Sequence, residues 1–178
     1  MGSNLKPKTI AMTAVMTALV YVTTSISVKM PPPLGAWHLG DVGSFVSAIM
    51  FGPIVGAFSC GVGAMLFDVW NPLWGSAFIS WAPATILIRG VMGYILGRYR
   101  NLIRGNIFLS NIAIMALSHI WKNLGYFAYD YYMRGAAAWI DIYTFFPLTA
   151  ISIAITVPIL KAIRSVYNTN YIMGGESN

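Results

Sequence analysis

Long apolar runs leave this chain little room for a soluble fold. Residues 9–28, 53–70, 82–98, 106–128 and 142–163 each approach the ~20 apolar residues a helix needs to cross a bilayer. Residues 39–51 (LGDVGSFVSAIMF) form a shorter run, compatible with a partly re-entrant segment, and only Gly52-Pro53 separates it from the next. Charged residues make up 9% of the chain, against about a quarter in soluble domains. A large apolar core cannot explain so deep a deficit. The expectation is an all-α integral membrane protein, a six-transmembrane-helix bundle forming one domain over residues 1–178, with helices at 9–28, 39–51, 53–70, 82–98, 106–128 and 142–163.

The formal charge of +6 invites a nucleic-acid reading, but its distribution along the chain argues for membrane topology instead. With the N-terminus inside, Lys6, Lys8, Arg98, Arg100, Arg104, Lys161 and Arg164 fall at cytoplasmic ends, and Lys29 and Arg134 fall outside. That bias follows the positive-inside rule and places both termini in the cytoplasm. No nucleic-acid partner is expected. The first apolar run is too long for a secretion signal and has no small-x-small cleavage site, so it reads as the first transmembrane helix. The single cysteine, Cys60, excludes a disulfide within the chain and a cysteine-based metal site. His38 and Asp41, three apart, suit helix capping, and two such ligands do not make a metal centre. Neither metal nor cofactor is expected.

Two polar features interrupt the apolar pattern. Arg89 lies in "APATILIRGVMGYILGR" about two turns below the start of the fourth helix. It either snorkels to headgroups or faces a pocket, where Asp68 or a ligand anion could balance it; the pocket is the reading adopted. On the fifth helix, "SHIWKNLGYFAYD" places His119, Lys122, Asn123 and Tyr126 on one face. Such a stripe belongs inside a bundle, as inter-helix glue or as a binding surface, and an ammonium group speaks against glue alone. Trp37, Trp70, Trp74, Trp81 and Trp139 gather at the external end, an asymmetry that suggests a cap over a pocket, while Trp121 belongs to the fifth helix. The resulting candidate site comprises Arg89, Lys122, Asn123, Asp68, Asn71, Trp70, Trp74, Trp81, His119, Tyr126, Trp139 and His38. The glycine-rich "GPIVGAFSCGVGAM" lacks the Gly-Lys-Ser/Thr ending of a P-loop, so no nucleotide hydrolysis is expected of this chain. Gly52 with Gly56, Ala57 with Gly61, and Gly93 with Gly97 read instead as faces for close helix packing. Ala11, Ala14 and Ala18 form a small-residue ridge on the first helix, ordinary within a bundle and suited also to docking on another membrane protein.

The A-x-x-x-A of "AVMTA" (14–18), "HLGDVGSFVSAIMFGPIVGAFSCGVGAMLFDV" (38–69) and "WAPATILIRGVMGYILG" (81–97) together resemble the S-components of energy-coupling factor (ECF) vitamin transporters, most closely the riboflavin-type branch. The resemblance implies a six-helix subunit that captures a water-soluble vitamin or related flat heterocycle (a flavin, pyridoxine or a pyrimidine precursor) outside the cell. Such a subunit is not an enzyme and works with a transmembrane coupling subunit and two cytoplasmic ATPases. The Ala11, Ala14 and Ala18 ridge would be the docking surface, and the whole subunit would topple to deliver its ligand. The location implied is a prokaryotic cell membrane, crossed several times. The family's fourth-helix cation is usually lysine, and Arg89 stands there in this chain. Two other classes are weighed beside this one. A membrane-embedded transferase would use His38, Asp41 and His119 as acid–base groups, and a non-transporting assembly subunit would bind no ligand.

Overall fold

The computed structural model describes residues 6–29, 36–103 and 106–166. The prolines at 31–33 and Gly35, expected to shape the first loop, lie outside the described residues, as does Arg104 of the charge-bias argument. The helices are α1 (Pro7–Ser25), α2 (Gly40–Phe51), α3 (Pro53–Val69), α4 (Ala82–Arg98), α5 (Ile107–Arg134) and α6 (Trp139–Val166). A short antiparallel pair, β1 (Ser27–Lys29) and β2 (Ala36–His38), joins α1 to α2 with Val28 opposite Trp37. Two stretches, Ile79–Arg98 and the α5–α6 region Ile107–Val166, are long and apolar enough to cross a membrane; α2 and α3 are shorter apolar helices.

Several helix ends differ from the sequence expectation. The first helix stops at Ser25 rather than residue 28, because Ser27–Lys29 pair as a strand. The fifth runs to Arg134 rather than 128, so most of the loop expected at 129–141 is helix and 3₁₀ turn. Ion pairs across the junction explain this: Arg134 contacts Asp130 one turn back at 3.2 Å and Asp141 at the start of α6 at 2.5 Å. The α5 helix ends at Gly135, whose φ of +62° suits a residue without a side chain. The break between α2 and α3 falls at Gly52 (φ +88°), followed by Pro53 at the first helical position, where its missing N–H is harmless.

Polarity is reversed relative to a soluble protein. Leu87 and Val91 on α4, and Leu117, Ile120 and Leu124 on α5, point outward, while Ser44, Ser47, Ser59, Thr85, Ser118, Ser152 and Thr156 are buried. Water cannot be the solvent for such a surface, and hydrocarbon can. The core joins Phe45, Ile49, Met92, Leu96, Ile114, Met115 and Leu160, drawn from α2, α4, α5 and α6. The helix α2 is the most enclosed, packed by α1, α3, α4 and α6. Close approach of α3 and α4 depends on missing side chains: a Cβ on Gly56 would sit 2.6 Å from the Gly93 carbonyl oxygen, and one on Gly93 would strike Gly56. The paired small-residue faces thus meet each other.

Candidate substrate-binding site

The residue that organises the interior is Asp41, in the first turn of α2 and wholly buried. Arg89 reaches it from α4 (Nη2 to Oδ1, 2.9 Å), and Lys122 reaches it from α5 (Nζ to Oδ2, 2.5 Å). The second Arg89 contact is Ser44, whose hydroxyl accepts from Nη2 at 3.0 Å and donates to the Gly40 carbonyl at 2.8 Å. His119 stands 3.4 Å from the same carboxylate through Nε2, with Phe45 4.8 Å from its ring. Thr149 of α6 donates its hydroxyl proton to the Phe145 carbonyl, so it accepts from His119, and Nδ1 is the protonated nitrogen. One carboxylate therefore ties α2, α4 and α5 together, and His119 extends the set to α6.

Charges placed this deep in an apolar bundle are costly unless paired. Arg89 is 2% exposed, so it does not snorkel to the surface. Its partner is Asp41 rather than Asp68 or a ligand anion. In sequence Asp41 suits a helix cap, but its side chain caps nothing, and an acid inside an apolar run is itself the signal of an internal ion pair.

Toward the ends of α3 and α5 the polar groups are less fully engaged. Tyr126 donates to Thr85 at 3.0 Å, and the Asp68 carboxyl lies within reach of the same hydroxyl. Asp68 and Tyr126 both lie within electrostatic reach of Arg89. Asp68 Oδ2, Asn123 Oδ1 and Arg89 Nε are buried and have no hydrogen-bond partner among the described residues. The aromatic side chains of α3 and of the segment before α4 form a series of their own. Phe67 stacks on Phe78 at 5.8 Å, and Trp74 and Trp81 meet Phe78 edge-on at 6.2 and 6.3 Å. The ring of His38 lies 6.0 Å from Phe67. Phe67 and Phe78 were not anticipated, since phenylalanine in an apolar chain carries no distinguishing signal.

Other expected site residues are occupied elsewhere. Asn71 closes its own loop, accepting from the Leu73 and Trp74 amides at 3.2 and 2.8 Å and donating to the Phe67 carbonyl at 3.1 Å. Trp81 donates to Asp130 at 2.6 Å, anchoring the start of α4 to α5. Trp74 donates to Ser27 of β1. Trp70 is 56% exposed, and Trp139, 57% exposed, packs edge-on against Phe127. The aromatic group is built from Trp74 and Trp81 with two phenylalanines, without Trp70 or Trp139.

A chain-wide comparison identifies the arrangement. Residues 4–169 match the family model described as ECF-type riboflavin transporter, S component. The chain belongs to that family. S-components are substrate-binding subunits of membrane transporters and not enzymes, so this chain is a vitamin-binding transport subunit. An uncharacterised protein of Pyrococcus woesei, encoded in the gap 3' region, is 32% identical over 120 residues, covering 66% of this chain and 74% of that one. The fold matches the crystal structure of the S-component for biotin from an ECF-type ABC transporter with a TM-score of 0.68, over 93% of this S-component and 95% of that chain at 17% identity.

His38, just outside the helices, offers a pH test. Burial, and after it the positive charge of Arg89, pushes its imidazole down from 6.5 to about 4. The folded protein thus resists a proton that the unfolded chain accepts. Stability is expected to be undiminished above about pH 6.5 and to fall as pH drops toward 4. Melting scans across that range should show the slope, and His38→Gln should flatten it.

Proposed function

We propose that this S-component captures an uncharged, flat, polar vitamin of the riboflavin class, as its family's description suggests, from outside a prokaryotic cell. The observations that carry this reading are the unsatisfied buried atoms Arg89 Nε, Asp68 Oδ2 and Asn123 Oδ1, and the stacked Phe67 and Phe78 rings. One donor and two acceptors suit a heterocycle that offers both carbonyl and N–H or hydroxyl groups, and the aromatic series suits its flat face. The interior charges, Asp41 and Asp68 against Arg89 and Lys122, balance when ionised and leave no net demand for a charged ligand. Titrating the purified protein with riboflavin, pyridoxine and pyrimidine precursors tests the reading. Sub-micromolar binding of at least one is expected, weakened about tenfold or more by Asn123→Ala through loss of a hydrogen bond. No binding across the series, or full affinity in the variant, would refute it.

The topology proposed with this function has six membrane crossings and cytoplasmic termini. The transport partners are a transmembrane coupling subunit and two cytoplasmic ATPases. Ala11, Ala14 and Ala18 are all exposed on α1, which supports the ridge as the docking face. Ala14→Trp is expected to abolish co-purification with the coupling subunit while leaving ligand affinity within about twofold, since overpacking acts locally on that surface. Retained co-purification would move the docking face elsewhere.

A further inference from the structure

Arginine carries five N–H donors on one planar fork, and the direction of that fork decides which of them a ligand can reach. The ion pair of Arg89 does not set this direction. Nη2 lies 2.9 Å from Asp41 Oδ1, yet that oxygen accepts no aligned hydrogen bond among the described residues. The carboxylate supplies charge, and the attraction of a charge depends on distance rather than on angle. Among the described residues, the side-chain hydrogen bond that Arg89 does make is to Ser44, from Nη2 to Oγ at 3.0 Å. Nε is left buried and unpartnered.

Ser44 is wholly buried and is itself held firmly. Its hydroxyl donates to the Gly40 carbonyl at 2.8 Å, so the proton is committed and the oxygen lone pairs are left for Arg89. Its own carbonyl accepts from Cys60 Sγ of α3 at 3.6 Å. Gly40 packs so closely on Thr24 of α1 that a Cβ there would collide with the threonine hydroxyl, and Gly43 meets Thr23 in the same way. The first turn of α2 is thereby fixed against α1. Asp41 and Ser44, three apart on that helix, present charge and direction to one guanidinium.

We propose that Ser44 is a positioning residue of the vitamin site: it aims the Arg89 fork so that Nε–H is held ready for the bound vitamin, which Ser44 itself does not touch. This role rests on the proposed function, in which Arg89 Nε is the donor to the ligand. A donor already aimed binds more tightly, because the cost of ordering its side chain is met before the ligand arrives. Without the serine bond, Asp41 would still hold the guanidinium nearby and leave its plane free to turn about the ion pair.

The test is a double-mutant cycle on vitamin affinity in the full chain. The probe is riboflavin or, should one bind more tightly, pyridoxine or a pyrimidine precursor. Ser44→Ala should weaken binding about tenfold, the loss of one hydrogen bond to a charged group. Arg89→Met, in which Asp41 keeps its bond to Lys122, should weaken binding too, and adding Ser44→Ala to it should cost no further affinity. A serine that only supported the fold would weaken binding by the same factor in both backgrounds, and that result would overturn the proposal. Ser44→Cys fills nearly the same space with a weak acceptor, so it should bind as poorly as the alanine variant, and it carries the cycle if alanine prevents folding. Parental affinity in either single variant of Ser44 would also overturn the proposal, while leaving the vitamin-binding function standing. A parent protein that binds none of the vitamins would refute that function and this role with it.

Discussion

Asp41→Asn is expected to destabilise the protein by about 3–5 kcal/mol, the range for breaking one side of a buried ion pair. The amide is close in size to the carboxylate, so packing is preserved and only the charge is removed. Arg89 and Lys122, 2% and 5% exposed, would then face each other across a neutral group with no other acid in contact. Cys60 provides the assay: it is the single thiol and is fully buried, so a thiol-reactive dye reports unfolding directly. At roughly 2–4 °C per kcal/mol for a chain of this size, the midpoint should fall by about 10 °C. Pairing the substitution with Lys122→Met should recover part of the loss, because the unpaired ammonium is removed as well. An Asp41→Asn protein that melts within about 2 °C of the parent would show that the carboxylate does not hold the three helices together.

Gly93→Leu should be at least as damaging, for a reason unconnected with charge. A side chain there would run into the backbone of Gly56, and the reciprocal Cβ on Gly56 would meet both the Gly93 carbonyl and Ala48 at 2.7 Å. Backbone cannot yield as a flexible side chain can, so α3 and α4 must separate along their length. Overpacking typically costs about 1–3 kcal/mol, and the upper end or beyond is expected where the obstruction is main chain on both sides. The same dye assay reads the effect, together with loss of monodisperse protein after extraction. Leucine at Gly75, where nothing lies within 4 Å of a Cβ, is the control for chain length; it still bears the strain of φ +59° but not the collision. If Gly93→Leu melts no lower than that control, close α3–α4 contact is not what the glycines provide.

These two sites were visible in the sequence to different degrees. Gly56 and Gly93 could be assigned to a packing face because small residues four apart leave a one-dimensional trace, and the structure shows the two faces opposed. Arg89 and the His119–Lys122 stripe could be assigned to the interior because exposure to lipid is costly for either. Asp41 is ambiguous in sequence. A cap and a charge hub look alike in sequence, since both are an acid in the first turn of a helix. Asn71 is ambiguous for a related reason: an asparagine beside tryptophans suits a ligand site as well as an Asx turn, and the 2.8 Å bond from the Trp74 amide establishes the turn. The α5 extension to Arg134 was invisible because its support, Asp141 and Trp81, comes from other elements.

Composition and hydropathy were enough to assign a helical membrane protein, and ordered motifs were enough to reach the S-component family. Both rest on local properties, namely how residues partition between water and hydrocarbon and which short patterns recur along the chain. The choice of Asp41 as the shared partner of Arg89 and Lys122, and the gathering of Phe67, Phe78, Trp74 and Trp81, required the helices to be placed against one another. Pairing of buried charges is a property of distances across the bundle, here 2.5 to 2.9 Å between residues separated by up to 81 positions, and no periodicity along the chain encodes it.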